Sequence, residues 1–116
     1  MMSPRDDVLL RGLVDWVALD QVHWLITQAR PHASVADVQE EVILLIRDLV
    51  AEGLMTLGNV DTESGFTRWP IPLDEAMDRV RRVYVVDFGK SNVWPWFCWL
   101  DLTEKGDSAA RQIQDR

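Results

Sequence analysis

The hydrophobic period changes once along this chain, at Gly53, and that change bounds the folds open to it. Just upstream, Val35, Val38, Val42, Ile46 and Leu49 recur every three or four positions, a spacing that lines one side of a helix. Ser34 followed by Asp37 is a capping-box-like start, with a carboxylate in place of the usual Glu. Gly53 stands where a left-handed cap closes a helix. The block Ile43-Leu44-Leu45 adds apolar residues beside the stripe, which predicts a central helix contacted from several sides. Two helices are predicted before it. One runs from Asp6 to Ala18 on Leu9, Leu13, Trp16 and Val17, and one from Leu19 toward Arg30 on Val22, His23 and Ile26, stopped by Pro31.

Beyond Gly53 the pattern shortens. Leu54 to Val60 and Phe66 to Trp69 flank the turn formers Asp61-Thr62-Glu63-Ser64-Gly65, which predicts a hairpin over 54–70. Pro70 and Pro72 end it, and Leu73, Met77, Val80 and Tyr84 then share a helical face, predicting an inserted helix over 72–86. Within it, Val83-Tyr84-Val85-Val86 fits an extended segment equally well. Trp94 to Leu102 reads as an aromatic strand, with Pro95 confining it to an edge or a late start. Thr103 caps a last helix over 103–115, with Ala109, Ala110 and Ile113 as its apolar side. The expected fold class is therefore α+β, mostly α: a three-helix core over 5–53, a small antiparallel hairpin or sheet, an inserted helix and a C-terminal helix.

A chain of 116 residues has material for one domain, 1–116, and not for two independent cores. Its 47% apolar content excludes disorder. No apolar run approaches the roughly 20 residues of a membrane-spanning helix, and the acidic start at Asp6-Asp7 is unlike a secretory leader, so the expected place is the cytoplasm. The single cysteine, Cys98, can form no internal disulfide and no multi-cysteine metal site. A net charge of -7 disfavours nonspecific binding to nucleic acid or to an anionic membrane.

Three helices, a helix-closing Glu52-Gly53-Leu54, a hairpin, and a last strand running into Leu102-Thr103-Glu104-Lys105-Gly106 form an ordered set. The set resembles the winged helix-turn-helix domains of bacterial regulators, in which an "EGL" closes the recognition helix and an "LTEKG" leads out of the wing. The likeness covers residues 5 to 115, and Arg47 to Leu54 also looks like the corresponding stretch of small actinobacterial proteins of this shape. It implies a three-helix core whose third helix reads DNA. Two departures stand against that implication. Residues 71–102 lie between the hairpin and Thr103, so the wing is elaborated or replaced. The charge is also wrong: residues 35–63 hold seven acids and one base, Arg47, a net of -6. Phosphate contacts gain affinity by neutralisation, and this surface has the opposite sign. The one cationic patch is Arg79, Arg81 and Arg82, with Lys90 after them, opposed by Asp74, Glu75 and Asp78, a pattern of local ion pairs.

The sequence has no Gly-rich phosphate loop, no nucleophile elbow and no paired His or Cys spacing. His23 is expected to be packed and hydrogen-bonded beside an apolar face, and His32 exposed in a turn. Cys98 between Phe97 and Trp99 is expected to be buried with a raised thiol pKa. No catalysis, cofactor or metal is expected.

Six tryptophans remain to be used. Trp16 and Trp24 are expected in the core. Trp94, Trp96 and Trp99 put large rings on both faces of any strand, so either the inserted helix packs across them or part of the aromatic surface is exposed. Exposed tryptophans mark protein interfaces. The expectation is a non-catalytic protein-interaction module or small regulatory adaptor. Trp94, Trp96 and Trp99 would anchor a protein partner or a second copy, and Asp37, Glu40 and Glu41 would form an acidic rim for a basic partner or mimic a nucleic-acid backbone. The alternative is a dimeric DNA-binding regulator using Gln39, Arg47, Arg68, Arg79, Arg81 and Arg82.

Overall fold

A computed structural model describes residues 2–116. Five α-helices and a four-stranded antiparallel sheet form among them, an α+β arrangement that is mostly α. Helix α1 (Pro4–Gly12) is started by Ser3, whose Oγ accepts the Asp6 N–H at 3.2 Å. Strand β1 (Val17–Ala18) follows and leads straight into α2 (Leu19–Ala29), where the Ala18 N–H donates to Gln21 Oε1 at 2.8 Å. The first helix is thus shorter than its apolar stripe predicts. Gly12 lies so close to Leu102 that an added Cβ would stand 2.7 Å from Leu102 Cγ. Past it, Asp15 accepts the Trp16 N–H, and Val17 and Ala18 pair with Leu100 and Trp99 of a later strand instead of continuing the helix.

Helix α3 (Val35–Ala51) starts on Ser34, whose Oγ accepts the Asp37 N–H at 3.1 Å, and ends at Gly53 with φ +73°. Val38, Val42, Ile46 and Leu49 are buried along its inner side. Strands β2 (Met55–Asp61) and β3 (Gly65–Arg68) form the hairpin. Helix α4 (Leu73–Arg81) then continues into a single π turn, Arg82–Val86, so residues 83–86 are helical, in a widened turn, and not extended. A 3-10 turn at Trp94–Trp96 precedes β4 (Trp99–Leu102), and α5 (Glu104–Gln114), capped by Thr103 Oγ, closes the chain. The aromatic strand predicted over 94–102 is therefore extended only from Trp99. Pro95 has no N–H to give a ladder and suits the first turn of a helical segment.

The strand order is β1-β4-β2-β3. Leu57 pairs with Leu100, which pairs with Val17, and this row, all buried, faces the helices. Side chains alternate along a strand, so Trp99, opposite Ala18 and Gly58, turns to the other side. With it go Asp101 opposite Thr56, Phe66 opposite Val60, and Arg68 opposite Gly58.

Candidate interaction site

The inserted segment covers the third helix. Gln39 sits a turn into α3 and is only 6% exposed; its Nε2 donates to the carbonyl oxygen of Tyr84 at 3.0 Å. Beside it Arg81 grips Glu40 with two hydrogen bonds of 2.6 and 2.9 Å, and two turns on Arg47 pairs with Asp74. Gln39, Ile43 and Met77 are buried in this helix-on-helix contact. Glu41 pairs with Arg30 at 3.2 Å, and Glu52 with Arg5 at 2.8 Å.

This arrangement corrects three expectations. Gln39 is inaccessible to any partner, because α4 and its π turn lie over it. Glu40 and Glu41 are not a free acidic rim, because arginines distant in sequence neutralise them. The Arg79 to Arg82 cluster is not held by its sequence neighbours, since Arg81 reaches across to α3. Arg79 stacks over the Trp69 ring at 5.7 Å, and Arg82 is exposed. Of the other residues singled out in the sequence, Asp37 is exposed in the first turn of α3, Arg47 is tied to Asp74, and Arg68 is exposed at the end of β3. The surface stripe left open on α3 runs Asp37, Leu44, Asp48, with Glu41 half-buried between, and carries no base.

The π turn has a consequence for the aromatic residues. It turns Tyr84 inward, fully buried, where its hydroxyl and His23 Nδ1 share a hydrogen bond of 2.5 Å. Phe88 and Trp94 complete the cluster, with ring centroids 5.0 Å apart and each within 6 Å of Tyr84 and His23. Burial holds the His23 pKa below its ordinary value, and the same burial raises that of Tyr84. Both shifts favour the uncharged forms, a neutral imidazole beside a protonated phenol. Cys98 is buried too, and burial pushes its thiol up to about 12.

The tryptophan run divides accordingly. Trp94, expected as a partner anchor, is 6% exposed and belongs to the core. Trp96 is 57% exposed and stacks on the half-buried Trp99, centroids 5.9 Å apart and planes 25° from parallel. Trp24 and Trp16 also depart from expectation. Trp24 lies on the outer side of α2, 52% exposed, with the Arg11 guanidinium 5.8 Å above its ring. Trp16 is not on a helix; it stacks on Phe66 of β3 at 6.4 Å. Trp69 is buried against Phe97, its indole N–H donating to Asn59 Oδ1 at 2.9 Å.

Trp16, Phe66, Trp96 and Trp99 thus furnish the side of the sheet turned away from the helices. Reading the sequence missed Trp16, Phe66 and Asp101 as members of this face. The alternation Gly58, Val60 against Phe66, Arg68 was the available signal, but it needs the hairpin register to be used. A separate cleft of about 370 Å³ runs between the end of α3, β2 and the segment leading into α4, lined by Val50, Met55, Trp69, Ile71 and Leu73. Among the described residues no three His, Cys, Asp or Glu side chains converge as a metal site requires, and no helix is long and apolar enough to cross a membrane.

No family, curated protein or solved structure matches this chain.

Proposed function

We propose that this chain is a non-catalytic, cytoplasmic protein-interaction module or small regulatory adaptor of winged-helix-like construction that does not read DNA with its third helix. The observation that carries the proposal is the cover on α3. In a winged helix this helix offers an open face to the major groove. Here Gln39 is buried under Tyr84, and Glu40 and Arg47 are tied to α4 by Arg81 and Asp74. Uncovering that face would break a buried hydrogen bond and two ion pairs, and the stripe beside it presents Asp37 and Asp48 to phosphate. The winged-helix part of the reading is supported by the order of three helices, a hairpin and a strand that rejoins the sheet before Thr103.

Retention of random and genomic DNA fragments by the purified protein at about 50 and 200 mM salt tests it, since phosphate contacts are revealed over that range. The expected result is no retention at either. Sequence-selective retention that weakens with salt would make the chain a DNA-binding regulator instead.

A further inference from the structure

The outer side of the sheet carries two stacked ring pairs in one partly open layer, Trp96 on Trp99 and Trp16 on Phe66. The Phe66 ring lies close over Gly58, where an added Cβ would stand 2.2 Å from the Thr67 carbonyl oxygen and 2.7 Å from Phe66 Cζ. The helices pack on the opposite side, against the row of Leu57, Leu100 and Val17.

The charges around this layer are mostly acidic. Asp101 shares the face by register, Asp15 adjoins Trp16, and Asp61 and Glu63 stand at the tip of the β2–β3 hairpin. Among the described residues none of these four carboxylates is in an ion pair. Asp15 and Asp61 accept only backbone N–H groups. Arg68 is the one base that register puts on this side.

We infer that this face docks an extended protein segment carrying arginine among prolines or other apolar residues, the guanidinium lying on the exposed Trp96 ring with Asp101 beside it. This deepens the protein-interaction reading and rests on it. Three features select that occupant. Planar guanidinium on an indole face is a contact the chain already makes twice, with Arg79 on Trp69 and Arg11 on Trp24. Aromatic-lined surfaces accept the preformed extended helix of proline-rich chain at small entropic cost. Asp101 on the face, with Asp15, Asp61 and Glu63 at the margins of the sheet, complements a cation and opposes the other candidates. A single-stranded nucleic acid would stack on the rings but bring phosphates against them. A second copy in two-fold contact would set the same acidic patch against itself.

The experiment titrates the ¹⁵N-labelled full chain with an eight-residue peptide of alternating Arg and Pro, its Glu-Pro counterpart, a twelve-nucleotide thymidine strand and duplex DNA, following indole and backbone N–H signals. The Arg-Pro peptide is expected to move the indole signals of Trp96 and Trp99 and to leave the α3 amides in place. Its affinity is expected to fall about tenfold in Trp96→Ala and about threefold in Asp101→Asn. Both variants should keep the melting temperature near that of the parent. The inference is overturned by no shift at Trp96 and Trp99, by equal binding of the Glu-Pro peptide, or by affinity unchanged in both variants. Binding of the thymidine strand at the same indoles would make the face a nucleic-acid site. Shifts that depend on protein concentration without peptide would make a second copy its occupant. Duplex DNA moving the amides of residues 35–47 would overturn the functional reading, whatever the peptide does. Failure of the peptide with α3 undisturbed by DNA would overturn this inference alone.

Discussion

The side-chain amide of Gln39 is bonded to the main-chain carbonyl of Tyr84, 45 residues further along the chain and 3.0 Å away. This contact fastens the inserted segment to the third helix, and its energetics can be read directly. Replacing Gln39 with Leu keeps the volume but leaves the buried Tyr84 carbonyl without its donor. A cost of about 1–3 kcal/mol is expected, measured as a lower urea midpoint with an unchanged slope.

Trp94 and Trp96 are two residues apart and should behave oppositely. Trp94→Ala removes a ring from the cluster of His23, Tyr84 and Phe88 and is expected to cost about 3–5 kcal/mol. Trp96→Ala removes an exposed ring and its stack on Trp99, a loss of about 1 kcal/mol or less. Urea unfolding of the two variants side by side checks this, and equal losses would contradict the division drawn between core and surface.

His23 makes stability depend on pH. Burial lowers its pKa in the folded chain below the ordinary 6.5, with Asp20 on the same helix opposing the shift. Between those two values the unfolded chain binds the proton and the folded chain does not. The contribution is therefore fully present above about 6.5 and is lost as pH falls through 6.5 toward the lowered value. The melting temperature of the parent should decline over that interval more than that of His23→Gln, in scans at matched ionic strength.

Cys98 is buried, and burial pushes its thiol up to about 12. The folded protein is expected to leave an aromatic disulfide reagent unreacted at pH 8 on the timescale of minutes, and to react with one equivalent once unfolded in denaturant. Prompt reaction without denaturant would show that the core opens locally around β4.

Glu40 and Arg81 form an exposed bidentate pair, and the guanidinium holds the carboxyl below its ordinary value. Its stabilisation is present above the ordinary carboxylate range and fades as pH falls through the lowered value. A double-mutant cycle with Glu40→Gln and Arg81→Gln is expected to give a coupling of a few tenths of a kcal/mol, smaller still in high salt.

Much of the fold was legible in local pattern. The third helix announces itself through a capping serine, a five-residue apolar stripe and a glycine that adopts φ +73°. The last helix does so through Thr103, whose hydroxyl accepts from the Gly106 N–H. Caps and periodicity act over three or four residues, and such signals survive without knowledge of the rest of the chain. The same signals overran at Trp16 and Val17, where helical spacing continued but pairing with β4 took the backbone.

What the sequence determined by itself was the position of most elements, their apolar sides and the excess of acid along residues 35–63. Only the tertiary structure decided what each side would meet. Periodicity assigns Gln39 and Glu40 to positions on a helix, but their partners, Tyr84 and Arg81, arrive from more than 40 residues away. A cap is a contact between near neighbours, whereas the cover on α3, the burial of Trp94 and the ring layer on the outer sheet depend on packing and register. Those are set by the whole chain closing on one core, where a shift of one residue would exchange the two faces of a strand.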